Sequence, residues 1–248
     1  MRREQSDIPA VGAGPMPGSR AVVPPDRPGL QGRPDAVIFD CDGVLVDSEP
    51  ITNGVLCEML NELGLDFDLE RTIRTFMGKS VKDEMAAIEA LIGRPLSPDW
   101  HPQFVRRRDE ALAVRVAAIP GVRAVVERLA AIGMPFAVAS GADCAKMRLT
   151  LGRSGLLPFF ERCMFGADMV ARAKPAPDVY ELAMRTIGAS PNRTVVIEDT
   201  PTGIRAGVAA GTTVYALASL NSPAILLDAG ASLTFGSMDE LPALLRLD

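Results

Sequence analysis

Four short stretches of the chain place charged or hydroxyl side chains in positions where chemistry could converge. Asp40-Cys41-Asp42-Gly43 follows the apolar run Ala36-Val37-Ile38-Phe39, and Ser140-Gly141-Ala142 follows Phe136-Ala137-Val138-Ala139. Glu198-Asp199 closes Thr194-Val195-Val196-Ile197, and Lys174 stands in Ala173-Lys174-Pro175-Ala176-Pro177. Together they offer carboxylate oxygens for a hard cation, a hydroxyl and loop N–H groups for an anion, and a lysine to neutralise charge. Taken singly, three of the four have an ordinary reading. A lone Asp-x-Asp caps a turn or helix, Ser140 is a common N-cap residue, and a lysine between prolines sits in a solvated loop. Glu198-Asp199 differs, because paired carboxylates at a buried strand end repel each other unless a cation neutralises them.

Other chemistries are excluded by what the chain lacks. Its one histidine, His101, rules out a multi-histidine zinc or iron site. Cys41, Cys57, Cys144 and Cys163 form no Cys-x-x-Cys pair and read as thiols of a reducing, cytoplasmic compartment. The positions six residues after them hold Asp47, Leu63, Thr150 and Met169, so no Cys-x5-Arg thiol-phosphatase loop exists. Asp40-x-Asp42 is no EF-hand loop, since its twelfth position is Ile51. Ser140 is no nucleophile elbow, since Gly-x-Ser-x-Gly is not matched and no histidine follows it. A net charge of −5 supplies no basic footprint for nucleic acid or an anionic membrane. No apolar run reaches the roughly 18 residues of a membrane span. Met1-Arg2-Arg3 leads into Glu4-Gln5-Ser6-Asp7 rather than into an apolar stretch, so it is no signal peptide.

The elements that must position these residues alternate. The runs 36–39, 135–139, 194–197 and 212–215 suit strands buried on both faces of a parallel sheet. Helical stretches separate them at 121–132, 143–153, 177–187 and 201–210, and the first, third and fourth are followed by Gly133, Gly188 and Gly211. Ser222-Pro223 opens a late helix, and Ser237 with Glu240 forms a capping box for another. The pattern predicts a Rossmann-like open α/β sheet. Residues 49–118 break the alternation with amphipathic helices alone: Val55, Leu56, Met59, Leu60 and Leu63 share one face, and further helices are expected from Val81 to Leu91 and from Trp100 to Ala118. This all-helical insert belongs over the carboxyl ends of the strands, as a cap on a core of residues 34–48 and 119–248. Residues 1–33, rich in proline and glycine, read as a disordered arm. Gly12-Ala13-Gly14 is no dinucleotide loop, because no strand precedes it and Pro15 and Pro17 follow.

With the four stretches in order on these elements, the chain resembles the haloacid dehalogenase-like hydrolase superfamily. The resemblance rests on Phe39-Asp40-Cys41-Asp42-Gly43-Val44-Leu45-Val46-Asp47-Ser48-Glu49, Ala139-Ser140-Gly141, Ala173-Lys174-Pro175-Ala176-Pro177-Asp178 and Ile197-Glu198-Asp199-Thr200-Pro201-Thr202-Gly203-Ile204. The helical insert is similar to the cap of the phosphoglucomutase-like and phosphogluconate-phosphatase-like branch. The resemblance implies that Asp40 is a nucleophile forming an aspartyl-phosphate. Asp42 would act as general acid and base, with its backbone carbonyl on the metal. Mg²⁺ would be held by Asp40, Asp42 and Asp199, with Glu198 a ligand or a partner of the ligands. Ser140, the neighbouring N–H groups of Gly141 and Ala142, and Lys174 would neutralise the phosphoryl oxygens.

Since the family's dehalogenases and phosphonate-cleaving members lack an aspartate at the position of Asp42, the resemblance favours phosphoryl transfer. The expected substrate is a small phosphorylated metabolite, a sugar or sugar-acid phosphate. A phosphosugar mutase of the β-phosphoglucomutase type and a catalytically silent phospho-ligand-binding relative are the alternatives. Mutases resembling this branch carry a histidine twelve residues after the nucleophile, where this chain has Thr52. On the cap, Lys79 and Arg108 are candidates to touch the leaving group, whereas Arg106 and Arg107 read as solvated. Trp100 and Phe104 read as cap core. Gly203, Gly207 and Gly211 read as permitting close helix–sheet packing.

Overall fold

The apolar runs become neighbouring strands of a single sheet. The structure, a computed structural model, describes residues 21–24, 29–76 and 81–247. The strands are β1 (Ala36–Phe39), β2 (Phe136–Ala139), β3 (Met164–Phe165), β4 (Thr194–Glu198), β5 (Thr213–Leu217) and β6 (Leu233–Phe235). They lie in the order β3-β2-β1-β4-β5-β6, and every pairing is parallel. The chain steps outward from β1 through β2 to β3, then returns to the other side of β1 as β4. The crevice at that reversal, outside the carboxyl ends of β1 and β4, is where open α/β sheets bind ligands. Asp40 and Asp199 flank it.

Seven of the helices cover both faces. On one side, α5 (Val122–Ala131), α6 (Cys144–Arg153), α7 (Leu157–Phe160) and α11 (Leu241–Leu244) bury Val126, Leu151, Phe160 and Leu241 against Val37 and Phe39. On the other, α8 (Asp178–Ile187), α9 (Pro201–Ala209) and α10 (Pro223–Asp228) bury Tyr180, Ile204 and Leu226 against Ile38. Successive β1 residues therefore serve opposite cores, which explains why the run is apolar without alternation. The capping box at Ser237 is present, on the turn Met238–Glu240 that leads into α11.

Four helices, α1 (Glu49–Glu62), α2 (Leu69–Phe76), α3 (Val81–Ile92) and α4 (Trp100–Arg115), make up the stretch expected as a cap, between β1 and α5. Their own core joins Leu56, Leu60, Phe67, Phe76, Ile88, Trp100 and Phe104, with the Trp100 and Phe104 rings stacked at 6.0 Å. Helix α4 ends three residues earlier than the spacing predicts. Val116 turns extended, and the returning chain pairs with the outgoing one: Val46 bridges Ala118, Asp47 N–H donates to Ala117 O at 3.0 Å, and Ile119 N–H donates to Leu45 O at 3.0 Å. The backbone bonds available there end the helix.

Two strands, β3 and β6, were not expected. The stretch expected as an arm also departs in part from that expectation. Val22 pairs antiparallel with Thr234 through bonds of 2.8 and 3.0 Å, because β6 is an edge strand with backbone groups to satisfy. Leu30 packs on the core, and Arg193 donates to the carbonyls of Gln31 and Arg33. Residues 1–20 and 25–28 of the stretch lie outside the described residues. Among the described residues no helix is long and apolar enough to cross a membrane.

Candidate functional site

Asp40 leaves the end of β1 with its N–H bonded to Ile197 O at 2.9 Å, so its side chain emerges beside β4. The turn that follows needs a glycine. Gly43 has φ +82°, and a Cβ there would lie 2.1 Å from Asp199 Oδ2. The loop after β1 and the loop after β4 are thus pressed together through Gly43 and Asp199.

Lys174 is the hub. Its Nζ lies 2.6 Å from Asp40 Oδ1, 2.8 Å from Glu198 Oε1, 2.8 Å from the Tyr180 hydroxyl and 3.0 Å from Ala139 O. The Lys174–Pro175 peptide bond is cis. Burial favours a neutral lysine, but Asp40 and Glu198 outweigh it and hold the ammonium charged, well above its ordinary range. Burial likewise raises Glu198, and the adjacent Lys174 outweighs it, leaving that carboxyl below its usual value. For Asp40 burial wins: despite Lys174, its carboxyl is pushed up to about 7.

Glu198 has no oxygen to spare. Oε1 accepts from Lys174 and Tyr180, and Oε2 accepts from the N–H groups of Asp199 and Thr200 and from the Thr200 hydroxyl, at 2.8 to 3.0 Å. A Cβ on Gly203 would fall 1.6 Å from Oε1. Gly203 therefore makes room for this carboxylate rather than for helix–sheet packing alone; Gly207, whose added Cβ would meet Val214 at 2.7 Å, serves the packing. Both Glu198 oxygens are thus occupied by protein donors, and the carboxylate lies against Lys174.

Asp199 is the opposite case. Among the described residues its buried Oδ1 has no hydrogen-bond partner, and burial, Glu198 and Asp40 push its carboxyl well above the ordinary range. A bound cation would satisfy such an orphaned carboxylate oxygen beside Asp40. Among the described residues no group of three or more His, Cys, Asp or Glu side chains is arranged to hold a metal. The carboxylates of Asp40 and Asp199 fit Mg²⁺, which uses one or two protein carboxylates and completes its octahedron with waters and substrate oxygens.

Asp42 turns elsewhere. Its Oδ1 accepts from the Ser48 hydroxyl and lies 3.0 Å from Lys146 Nζ, with the Lys146 and Asp42 side chains 12 % and 16 % exposed. Burial alone would raise this carboxyl, but Lys146 and Ser48 outweigh it and leave it lowered. Ser140 is buried at the end of β2, its N–H on Phe165 O and its Oγ accepting the Ala142 N–H at 3.1 Å. That Ala142 donor is therefore turned onto Ser140, while Gly141 is exposed.

The cap arginines part as their spacing requires. Arg106 is exposed, Arg107 pairs with Glu62, and Arg108 pairs with Asp109 at 2.8 Å beside the Phe104 ring. Arg108 also acts electrostatically on Asp42 and Lys146, so it is the arginine at the seam between cap and core. Lys79 lies outside the described residues. Thr52 Oγ1 is buried without a partner among the described residues.

Lys146, Ser48 and Tyr180 were not singled out by sequence reasoning. One signal pointed to Lys146: it lies in the first turn of α6, just after the Asp143 cap, where a cation opposes the helix dipole. Ser48 lies inside the first motif quoted above, though without an assigned role, and Tyr180 gave no signal.

Comparison with known proteins adds to this geometry. A family model described as haloacid dehalogenase-like hydrolase matches residues 34–211. The chain is 29 % identical over 185 residues to the 6-phosphogluconate phosphatase of Escherichia coli, covering 74 % of this chain and 82 % of that protein. It is 30 % identical over 202 residues to the phosphorylated carbohydrates phosphatase of Thermotoga maritima, covering 79 % of this chain and 92 % of that one. A match of 30 % over 206 residues to the chloroplastic protein Suppressor of Quenching 1 of Arabidopsis thaliana covers 82 % of this chain but only 19 % of that protein. Among solved structures, a hydrolase from Deinococcus radiodurans with bound phosphate and sodium superposes with a TM-score of 0.76 at 34 % identity, covering 88 % of this chain and 97 % of that one.

Proposed function

Because the chain belongs to the haloacid dehalogenase-like hydrolase family, we propose that it is a Mg²⁺-dependent phosphatase of a small phosphorylated sugar or sugar acid. The observation that carries this reading is the pairing of Asp40 with Lys174 at 2.6 Å, next to an Asp199 whose Oδ1 lacks a partner. A carboxylate nucleophile and a phosphate dianion repel each other unless cations stand between them. Lys174 is one such cation. Mg²⁺, held by the carboxylates of Asp40 and Asp199 and the carbonyl of Asp42, would supply the other, screening charge on nucleophile and phosphoryl group.

Asp40 attacks phosphorus from the end of β1, forming an aspartyl-phosphate as the bond to the leaving oxygen breaks. Asp42, anchored through Oδ1 and ionised in this state, takes up a proton from solvent before passing it to the leaving oxygen, and then accepts one from the water that hydrolyses the aspartyl-phosphate. Lys174 and Ser140 neutralise the phosphoryl oxygens, in a reaction where positioning and electrostatics do most of the work. The substrate class comes from the two phosphatases named above, which act on 6-phosphogluconate and phosphorylated carbohydrates. Arg108, at the cap seam, is the residue assigned to the non-reacting end of the substrate. Phosphate release from a panel of sugar and sugar-acid phosphates, with and without Mg²⁺, tests the reading. Metal-dependent turnover of at least one member is the expected result, and release from none, or release undiminished by chelation, overturns it.

A further inference from the structure

Tyr180 has no part in the mechanism above, yet its hydroxyl lies inside the charge network. The O–H donates to Glu198 Oε1 at 2.9 Å and accepts from Lys174 Nζ at 2.8 Å, and Nζ stands 4.5 Å from the centre of the Tyr180 ring. The side chain is wholly buried on the face of α8 turned to the sheet. An ammonium has three protons. Here it has four acceptors within 3.0 Å: Asp40, Glu198, Ala139 O and the Tyr180 hydroxyl. Three of those acceptors depend on others for a proton, and Tyr180 alone brings its own.

A phosphoryl group in transit to Asp40 in the transition state claims a proton from Lys174. Bonds to the two carboxylates are charge-assisted and the stronger, so the neutral hydroxyl is among the acceptors released at least cost. Once released, the hydroxyl keeps its bond to Glu198, and the ring face still attracts the ammonium without using any of its protons. We propose that Tyr180 is a positioning residue for the phosphoryl-transfer reaction: it keeps Lys174 Nζ in place over Asp40 while the ammonium exchanges a neutral partner for a phosphoryl oxygen. The proposal rests on the phosphatase reading. It gives the residue a role beyond packing, since a phenylalanine would fill the same space.

Tyr180→Phe tests it, with folding verified by a thermal midpoint within a few degrees of wild type. The turnover number falls roughly tenfold, as expected for loss of the hydrogen bond that the hydroxyl keeps to the Glu198 carboxylate in the transition state. Orthovanadate, which adopts the five-coordinate shape of the transition state, inhibits more weakly by the same factor, whereas inhibition by inorganic phosphate changes less than about twofold. In a Lys174→Met background, vanadate binding measured by calorimetry shows no further loss on Tyr180→Phe, because the group being positioned is gone. Unchanged turnover, equal weakening of phosphate and vanadate, vanadate inhibition that does not follow turnover, or additive losses in the Lys174→Met background each overturn the proposal. A wild-type chain that neither hydrolyses any phosphate ester nor binds vanadate refutes the phosphatase reading first, and this proposal with it.

Discussion

Removing the charge of Asp199 should make the metal-free protein more stable and blind to Mg²⁺. Asp199 Oδ1 has no partner, and Asp40 titrates at about 7 instead of the ordinary 3.8. Both carboxyls are raised in the fold. A group raised in this way binds its proton more tightly folded than unfolded, so the stability it contributes is complete below about pH 4 and is lost as pH climbs towards 7. For Asp40 the shift of about three pH units corresponds to about 4 kcal/mol, an order-of-magnitude figure, withdrawn from the metal-free fold at neutral pH. A bound cation offsets this. At a hundredfold excess over its dissociation constant, Mg²⁺ adds about 2.7 kcal/mol, which for a chain of this length raises the melting temperature by about 5–11 °C.

Differential scanning fluorimetry at pH 7.5 should show that rise for the wild type, and a smaller one at pH 5.5, where protons compete for the same oxygens. Asp199→Asn should melt above the metal-free wild type at pH 7.5 and ignore the metal. An equal Mg²⁺ response in the two proteins, or an Asp199→Asn variant less stable than metal-free wild type, refutes the assignment of this carboxylate to a cation.

Three further outcomes follow from the site. Asp40→Asn should leave the fold intact and abolish turnover, since an amide is no nucleophile; single-turnover phosphate release within about tenfold of wild type contradicts the mechanism. Lys146→Met should lower turnover of sugar phosphates roughly 10- to 100-fold, part of what general acid–base catalysis supplies, because Asp42 loses the partner that fixes it. Steady-state rates within about twofold of wild type would show Lys146 to be a bystander. Incubation with a hexose 1-phosphate and a trace of the bisphosphate should yield inorganic phosphate faster than the 6-phosphate isomer, because Thr52 cannot switch charge near neutral pH as histidine does. Isomer outpacing phosphate would establish a mutase.

How far the sequence carries the reader depends on the length of the signal. Strands β1, β2, β4 and β5 announce themselves as runs of four or five apolar residues. In contrast, the two residues of β3 and three of β6 are too short to show any period. The carboxylates and Lys174 were legible because each ends a strand or breaks a helix, and topology then draws them together. Tyr180 was not legible, and Lys146 gave only the faint signal of a cation in the first turn of a helix. Lys146 lies on a helix where a lysine looks solvated, and it meets Asp42 across more than a hundred residues of chain. Tyr180 lies on an amphipathic face where an aromatic looks like core. Glu198 shows a third kind of limit: the sequence told that its charge needs neutralising, but not that a lysine and four other donors do so.

The paired linkers between cap and core also bear on how such a chain could change. Residues 45–47 and 117–119 run side by side as a short antiparallel ribbon, so the two ends of the insert leave the core about 5 Å apart. A turn of two or three residues could close that gap if the whole insert were deleted, and a different helical bundle could be grafted there without moving β1 or α5. The catalytic carboxylates stand on one side of the ribbon and Arg108 on the other. If Arg108 holds the substrate as proposed, chemistry and substrate preference are separable along the chain, and exchanging the segment between the linkers is the way to change the preferred phosphate ester.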